Sequence, residues 1–117
     1  MSERTPQKVL LVCADLMFRM ELKDALRARG WEVIAPKNVN ELPPEIDLQQ
    51  CARVLVDLES TGEASNPLLQ RLAEAPEKVL CFFSHRNVEA LTRAQECGLE
   101  QIVPRSALQR SLDDFLT

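Results

Sequence analysis

Four apolar runs in this chain are each followed closely by side chains able to do chemistry. Cys13-Ala14-Asp15 follows Val9-Leu10-Leu11-Val12, and Asp57 follows Val54-Leu55-Val56. Ser84-His85 follows Val79-Leu80-Cys81-Phe82-Phe83, and Arg105 comes just after Ile102-Val103. The carboxylates of Asp15 and Asp57 could hold a cation or take a phosphoryl group. The Ser84 hydroxyl, the His85 imidazole and the Arg105 guanidinium are groups that contact phosphate oxygens, and His85 could also sense pH. Each has a plainer role as well. A carboxylate at a strand end caps a loop or pairs with a cation such as Arg105, and a lone histidine is usually a loop residue.

Cys13 and Arg19 stand in a Cys-x5-Arg spacing. This resembles the phosphate loop of low-molecular-weight tyrosine phosphatases and arsenate reductases, in which a thiolate attacks the oxyanion while the arginine and backbone N–H groups hold its oxygens. Four cysteines and ten arginines in 117 residues give about 0.3 such pairs by chance, so the spacing is weak. The loop chemistry also argues against it. A nest of converging N–H groups wants small residues, and here the loop carries Leu16, Met17 and Phe18. The same bulk argues against a phosphocysteine of the sugar-phosphotransferase kind.

Composition narrows the field further. The 117 residues carry 14 basic and 18 acidic side chains and a net charge of −4. An acidic chain lacks the basic stripe that nucleic acid needs, and 4% aromatic content without tyrosine gives little for base stacking. No apolar run approaches the ~20 residues of a membrane span. The polar start Met1–Lys8 lacks a signal-peptide core, so the cytoplasm is expected. Cys13, Cys51, Cys81 and Cys97 form no CxxC pair, and with a single histidine no zinc spacing arises. Buried reduced thiols are expected.

The elements that must position these groups follow from the spacing of the runs. Val9, Val33, Val54, Val79 and Ile102 begin runs 24, 21, 25 and 23 residues apart. Continuous rather than alternating apolar runs read as strands covered on both faces. Each gap has room for a helix, so five βα units are expected. Phe18–Arg29 carries Phe18, Leu22, Ala25 and Leu26 on one face and stops at Gly30. Asn66-Pro67 reads as a cap and first turn, and Asn87–Cys97 as a helix ended by Gly98. Ser106–Leu116 reads as a helix with a serine cap. Val39–Pro44 leaves room only for a stunted helix, and Glu59–Ser65 is a polar loop. In such a sheet ligands sit at the carboxyl ends of the strands, which is where the reactive residues lie.

The chain resembles, over nearly its whole length, the receiver domain of bacterial two-component response regulators (CheY-like). Val54-Leu55-Val56-Asp57-Leu58 is similar to the phosphoacceptor strand, with Asp57 at the aspartate. Ser84 matches the Ser/Thr whose hydroxyl contacts the phosphoryl group, and Arg105 falls at the strand-five lysine. Ala94–Glu100 resembles the stretch leading from the fourth helix into strand five. The resemblance implies a flavodoxin-like α/β fold, a three-layer sandwich around a five-stranded parallel sheet of order 2-1-3-4-5. Two key positions depart from the pattern. The acidic pair that holds Mg²⁺ in receivers is here Cys13 and Ala14, with only Asp15 following. A hard cation wants oxygen ligands, so neither a metal nor another cofactor is expected. The lysine is replaced by Arg105, preceded by Pro104, and the two cations are not equivalent.

The expectation is therefore one receiver-like domain over residues 1–117, a degenerate or pseudo-receiver and not an enzyme. It would be a stand-alone regulatory module acting by protein–protein contact, not phosphorylated by the Mg²⁺-dependent route. Its pocket would comprise Asp57 as the phosphoacceptor equivalent, with Cys13, Ala14, Asp15, Ser84, His85 and Arg105, and an Arg105–Asp57 ion pair would hold it in one state. Two alternatives are a regulator phosphorylated at Asp57 and, at longer odds, a Cys13-dependent phosphatase-like enzyme. The resemblance places partner docking on the face of the fourth helix, fifth strand and fifth helix (Asn87–Cys97 and Ile102–Leu116), with Leu108 and Arg110 as exposed contacts. The same face could join two copies. Neither nucleic acid nor membrane is an expected partner.

Overall fold

The computed structural model describes residues 7–36, 50–61, 70–84 and 86–116. Five strands are present, β1 (Lys8–Val12), β2 (Glu32–Ile34), β3 (Arg53–Asp57), β4 (Val79–Phe83) and β5 (Gln101–Pro104). They form one all-parallel sheet in the order β2-β1-β3-β4-β5. The helices are α1 (Leu16–Ala28), the single turn α2 (Leu58–Thr61), α3 (Val88–Glu96) and α4 (Leu108–Leu116). Residues 70–72 are also helical and agree with the end of the helix expected from Asn66-Pro67. Its start, the Val39–Pro44 segment and residues 62–65 lie outside the described residues; residues 59–61, expected as polar loop, instead lie in the helical turn α2, which begins directly after β3.

The strand interiors are apolar because both sheet faces are covered. Val9, Leu11, Leu55, Leu80 and Phe82 pack with Leu22 and Leu26 of α1 and Leu108, Leu112 and Phe115 of α4. The alternate residues Leu10, Val12, Val54, Val56, Val79, Cys81 and Phe83 pack with Ala90 and Ala94 of α3 and with Leu58 and Leu72. Alternation along a strand thus sends successive residues into two cores. β5 is an edge strand and only half-buried along its length.

Helix ends follow local chemistry. The Asp15 side chain accepts the Phe18 N–H and so starts α1 two residues before the expected Phe18. Asn87, expected as the first residue of its helix, is instead the cap: its side chain accepts the Ala90 N–H and α3 begins at Val88. Gly30 and Gly98, at φ +86° and +99°, end α1 and α3 in the left-handed region that glycine enters freely.

Two expectations are corrected near the C-terminus. Ser106 does not cap the last helix, because it lies inside a 3-10 turn, Arg105–Ala107, that follows Pro104 directly. Leu108 is not an exposed contact; it is 0% exposed, in the core between α4 and the sheet. Its place on the inward stripe with Leu112 and Phe115 follows from the i, i+4 and i+7 spacing. Arg110 is exposed, as expected. The Asp113 carboxylate pairs with Arg29 Nε at 2.7 Å and links α4 to the end of α1.

Candidate functional site

The carboxyl ends of β1, β3, β4 and β5 bring together most of the reactive residues. Asp57 is the last residue of β3 and is 1% exposed, the one buried charged residue among those described. Its Oδ1 accepts the backbone N–H of Glu59 at 3.0 Å. Its Oδ2 accepts from Arg105 Nη2 at 3.2 Å. The Cys13 thiol, just past β1, lies 3.6 Å from the same oxygen. The pairing of Asp57 with Arg105 is the ion pair expected from the sequence, and the loop-cap role is realised in the same side chain.

Arg105 does more than pair with Asp57. Its Nη1 also lies 3.5 Å from Asp15 Oδ2, so one guanidinium joins the end of β3 to the cap of α1. The guanidinium carbon sits 4.4 Å from the centroid of the Phe18 ring. Phe18 in turn meets Phe82 edge-on, with ring centroids 5.5 Å apart. A cation over an aromatic face is held by the ring quadrupole, so Phe18 helps to fix the arginine in place. Arg105 Nε is buried and has no hydrogen-bond partner.

Ser84 follows β4 at the same edge, and its backbone N–H donates to Glu59 Oε1 at 2.6 Å. Glu59, Ser84, Arg105 and Ser106 line a cleft of about 410 Å³. Ala14 is exposed beside Asp15 and offers no side-chain donor. His85 lies outside the described residues. Sequence reasoning missed two contributors. Phe18 was legible only as a core position of α1, and the carboxylate of Glu59 carried no signal beyond its place two residues after Asp57.

Electrostatically, the pocket holds the carboxylates of Asp15, Asp57 and Glu59 against one guanidinium. The Cys13 thiol is 2% exposed and its pKa is pushed up to about 12, by burial first and by the Asp57 charge second. That is opposite to what a nucleophilic thiol requires. Arg19 Nη1 donates to the Cys13 carbonyl at 3.3 Å, which ties it to backbone. Leu16 and Met17 project exposed from the first turn of α1, where a phosphate cradle would need small residues. The arrangement opposes a Cys13-based phosphatase.

Among the described residues, no group of three or more His, Cys, Asp or Glu side chains could hold a metal ion, and no helix is long and apolar enough to cross a membrane.

No protein-family model and no curated protein sequence matches this chain. Solved structures do. A CheY-like response regulator receiver domain from Methanospirillum hungatei JF-1 superposes with a TM-score of 0.70 at 16% identity, covering 96% of this chain and 98% of that one. An orphan response regulator of H. pylori gives 0.71 at 17%, covering 98% and 100%. A response regulator from Burkholderia pseudomallei, with a phosphorylated aspartic acid, calcium ion and citrate, gives 0.71 at 19%, covering 95% and 66%. The chain therefore has the CheY-like, flavodoxin-like fold over almost its whole length.

Proposed function

We propose that this chain, folded as a receiver domain, is a signalling module of the cytoplasm that works by contact with a protein partner and without phosphoryl transfer to Asp57. The observation that carries the reading is that both Asp57 oxygens are already engaged, one by the Glu59 N–H and the other by Arg105 and the Cys13 thiol. Whichever oxygen attacks must give up its own contacts, the Glu59 N–H on Oδ1 or Arg105 and the Cys13 thiol on Oδ2. An incoming phosphoryl dianion would also meet two further carboxylates, Asp15 and Glu59, with one guanidinium to offset them.

The residues beside Asp57 fit a divalent cation poorly. Mg²⁺ prefers carboxylate and water oxygens, while the end of β1 supplies a buried neutral thiol and a methyl group, and the guanidinium lies between the two carboxylates. The Burkholderia regulator, by contrast, carries a phosphorylated aspartic acid and a calcium ion.

Docking is assigned to the face of α3, β5 and α4, as the receiver resemblance implies. A cleft of about 400 Å³ beside β5, lined among others by Gln101, Val103, Arg110 and Phe115, supports that assignment. A partner protein or a second copy could use it.

A two-dimensional NMR titration with Mg²⁺ and beryllofluoride tests the reading. No saturable shifts at Asp57, Ser84 and Arg105 are expected. Saturable shifts there would establish a phosphate-accepting pocket and overturn it.

A further inference from the structure

We infer that the Glu59 side chain is a built-in strut that couples the end of β3 to the first turn of α3. The inference deepens the reading above, because it rests on that reading's assignment of docking to the face that α3 helps to form. The register of the sheet shows what the strut replaces. Asp57 stands opposite Phe82, so a β3 two residues longer would set residue 59 opposite Ser84. The chain instead turns into α2 at Leu58, which is buried in one core with Ala90 and Ala94 of α3. The backbone of Glu59 is thereby carried out of the ladder, and its carboxylate reaches back. Oε1 accepts the Ser84 N–H at 2.6 Å, and the side chain restores the rung that the backbone gave up.

This contact lies within a run of hydrogen bonds that leads from the buried aspartate to the helix. Asp57 Oδ1 accepts the Glu59 N–H at 3.0 Å, and the Glu59 carboxylate accepts from Ser84. The Ser84 carbonyl accepts the Asn87 N–H at 2.8 Å, and the Asn87 side chain caps α3 through the Ala90 N–H at 3.1 Å. A charged acceptor makes a shorter and stronger bond than a neutral one. Unlike Asp57, however, Glu59 is exposed, and it lines the open cleft with Arg105 and Ser106. A bond held by an exposed side chain can break while both cores stay packed. The turn that it steadies carries Val88, 61% exposed and, among the described residues, the one exposed large apolar side chain on α3, β5 or α4. Glu59 therefore sets the position of the apolar contact that the docking face offers, without any chemistry at Asp57.

Amide hydrogen exchange in the full chain tests the strut with three substitutions. Glu59→Ala removes the acceptor. Glu59→Asp keeps the charge but is one methylene too short to reach. Glu59→Gln keeps the length and an accepting oxygen without the charge. E59A and E59D should speed exchange at Ser84 about tenfold or more, as the loss of a hydrogen bond to a charged group requires. They should also speed it about threefold or more at Asn87 and Ala90, and leave Leu10, Leu11 and Val56 of the central strands as they were. E59Q should fall between wild type and E59A at the affected amides. Unchanged exchange at Ser84 in E59A overturns the inference. So does a rise confined to Ser84, or one shared equally with the central strands, since the coupling to α3 is then absent or is only a weaker fold. E59Q as fast as E59A also overturns it, because the charge and not the bond would be acting. If E59A fails to fold, E59D against E59Q decides in the same way. Beryllofluoride binding to the wild type would defeat the signalling reading, whereas unaltered exchange in E59A would defeat only the strut.

Discussion

The Arg105 guanidinium lies over the Phe18 ring, its central carbon 4.4 Å from the ring centroid. The contact fastens the turn after β5 to the first turn of α1, and Phe18 carries the constraint on to Phe82 of β4. Phe18→Leu keeps the apolar bulk but removes both ring interactions. It is expected to cost about 1–2 kcal/mol, combining a cation–π contact of ~0.5–1 with an aromatic pair of similar size. Urea unfolding at neutral pH measures it; a change below a few tenths of a kcal/mol would mean that the stack contributes nothing.

The ion pairs of Arg105 are expected to be unequal. Asp57 is buried, whereas Asp15 is about half exposed. Arg105→Met deprives the buried Asp57 carboxylate of its cation. The expected cost is about 2–3 kcal/mol, below the ~3–5 of a fully buried pair because the arginine itself is one-third exposed. Asp15→Asn keeps the helix cap and loses only the exposed pair, for less than about 1 kcal/mol. Chemical denaturation of both variants in EDTA gives the order; a larger loss for Asp15→Asn would reverse this assignment.

Alkaline pH should loosen the fold through two thiols. Burial, followed by the neighbouring Asp57 charge, raises the Cys13 pKa to about 12, and burial, followed by Cys97, raises that of Cys81 to about 12. An unfolded thiol ionises near 9.0. Between these values the unfolded chain has released protons that the folded chain still holds. Stability is therefore at its full value below the unfolded pKa and falls as pH rises toward the folded one. Cys81→Ala should be less stable at neutral pH, because it leaves a cavity, yet should lose less on going from pH 8 to about pH 10. Parallel urea midpoints for wild type and variant over that range would refute the buried-thiol account.

Thiol labelling should follow exposure. Cys13, Cys51 and Cys81 are buried, and Cys97 at the end of α3 is half-buried. Iodoacetamide at neutral pH is expected to modify Cys97 first, with Cys13 reacting only on the timescale of unfolding. Peptide mass mapping after brief labelling reads the order, and early modification of Cys13 would revive the nucleophile.

The parallel sheet and its two-sided core were legible from run length and spacing, whereas the strand order was implied only by the receiver resemblance. That Asp57, Arg105 and Ser84 lie at one edge of the sheet was legible because strand ends in such a sheet converge. What could not be read was how side chains divide their contacts. Asp15 combines a helix cap with an ion pair, and the sequence marked it only as a carboxylate following β1. Leu108 could be read as inward or outward until the 3-10 turn at Arg105–Ala107 fixed the phase of α4. Phe18 joins the pocket through a ring face, and a ring face has no sequence signature beyond hydrophobicity.

Pro104 closes β5 beside Phe83 of β4. A proline has no backbone N–H to give, and the strand that it ends is only four residues long. A neighbouring chain that laid a strand along this border would gain a short ladder with a missing rung. Growth of the sheet from molecule to molecule is therefore discouraged on this side. Any lasting contact here must be made through side chains, and side chains can tell one partner from another where backbone pairing cannot.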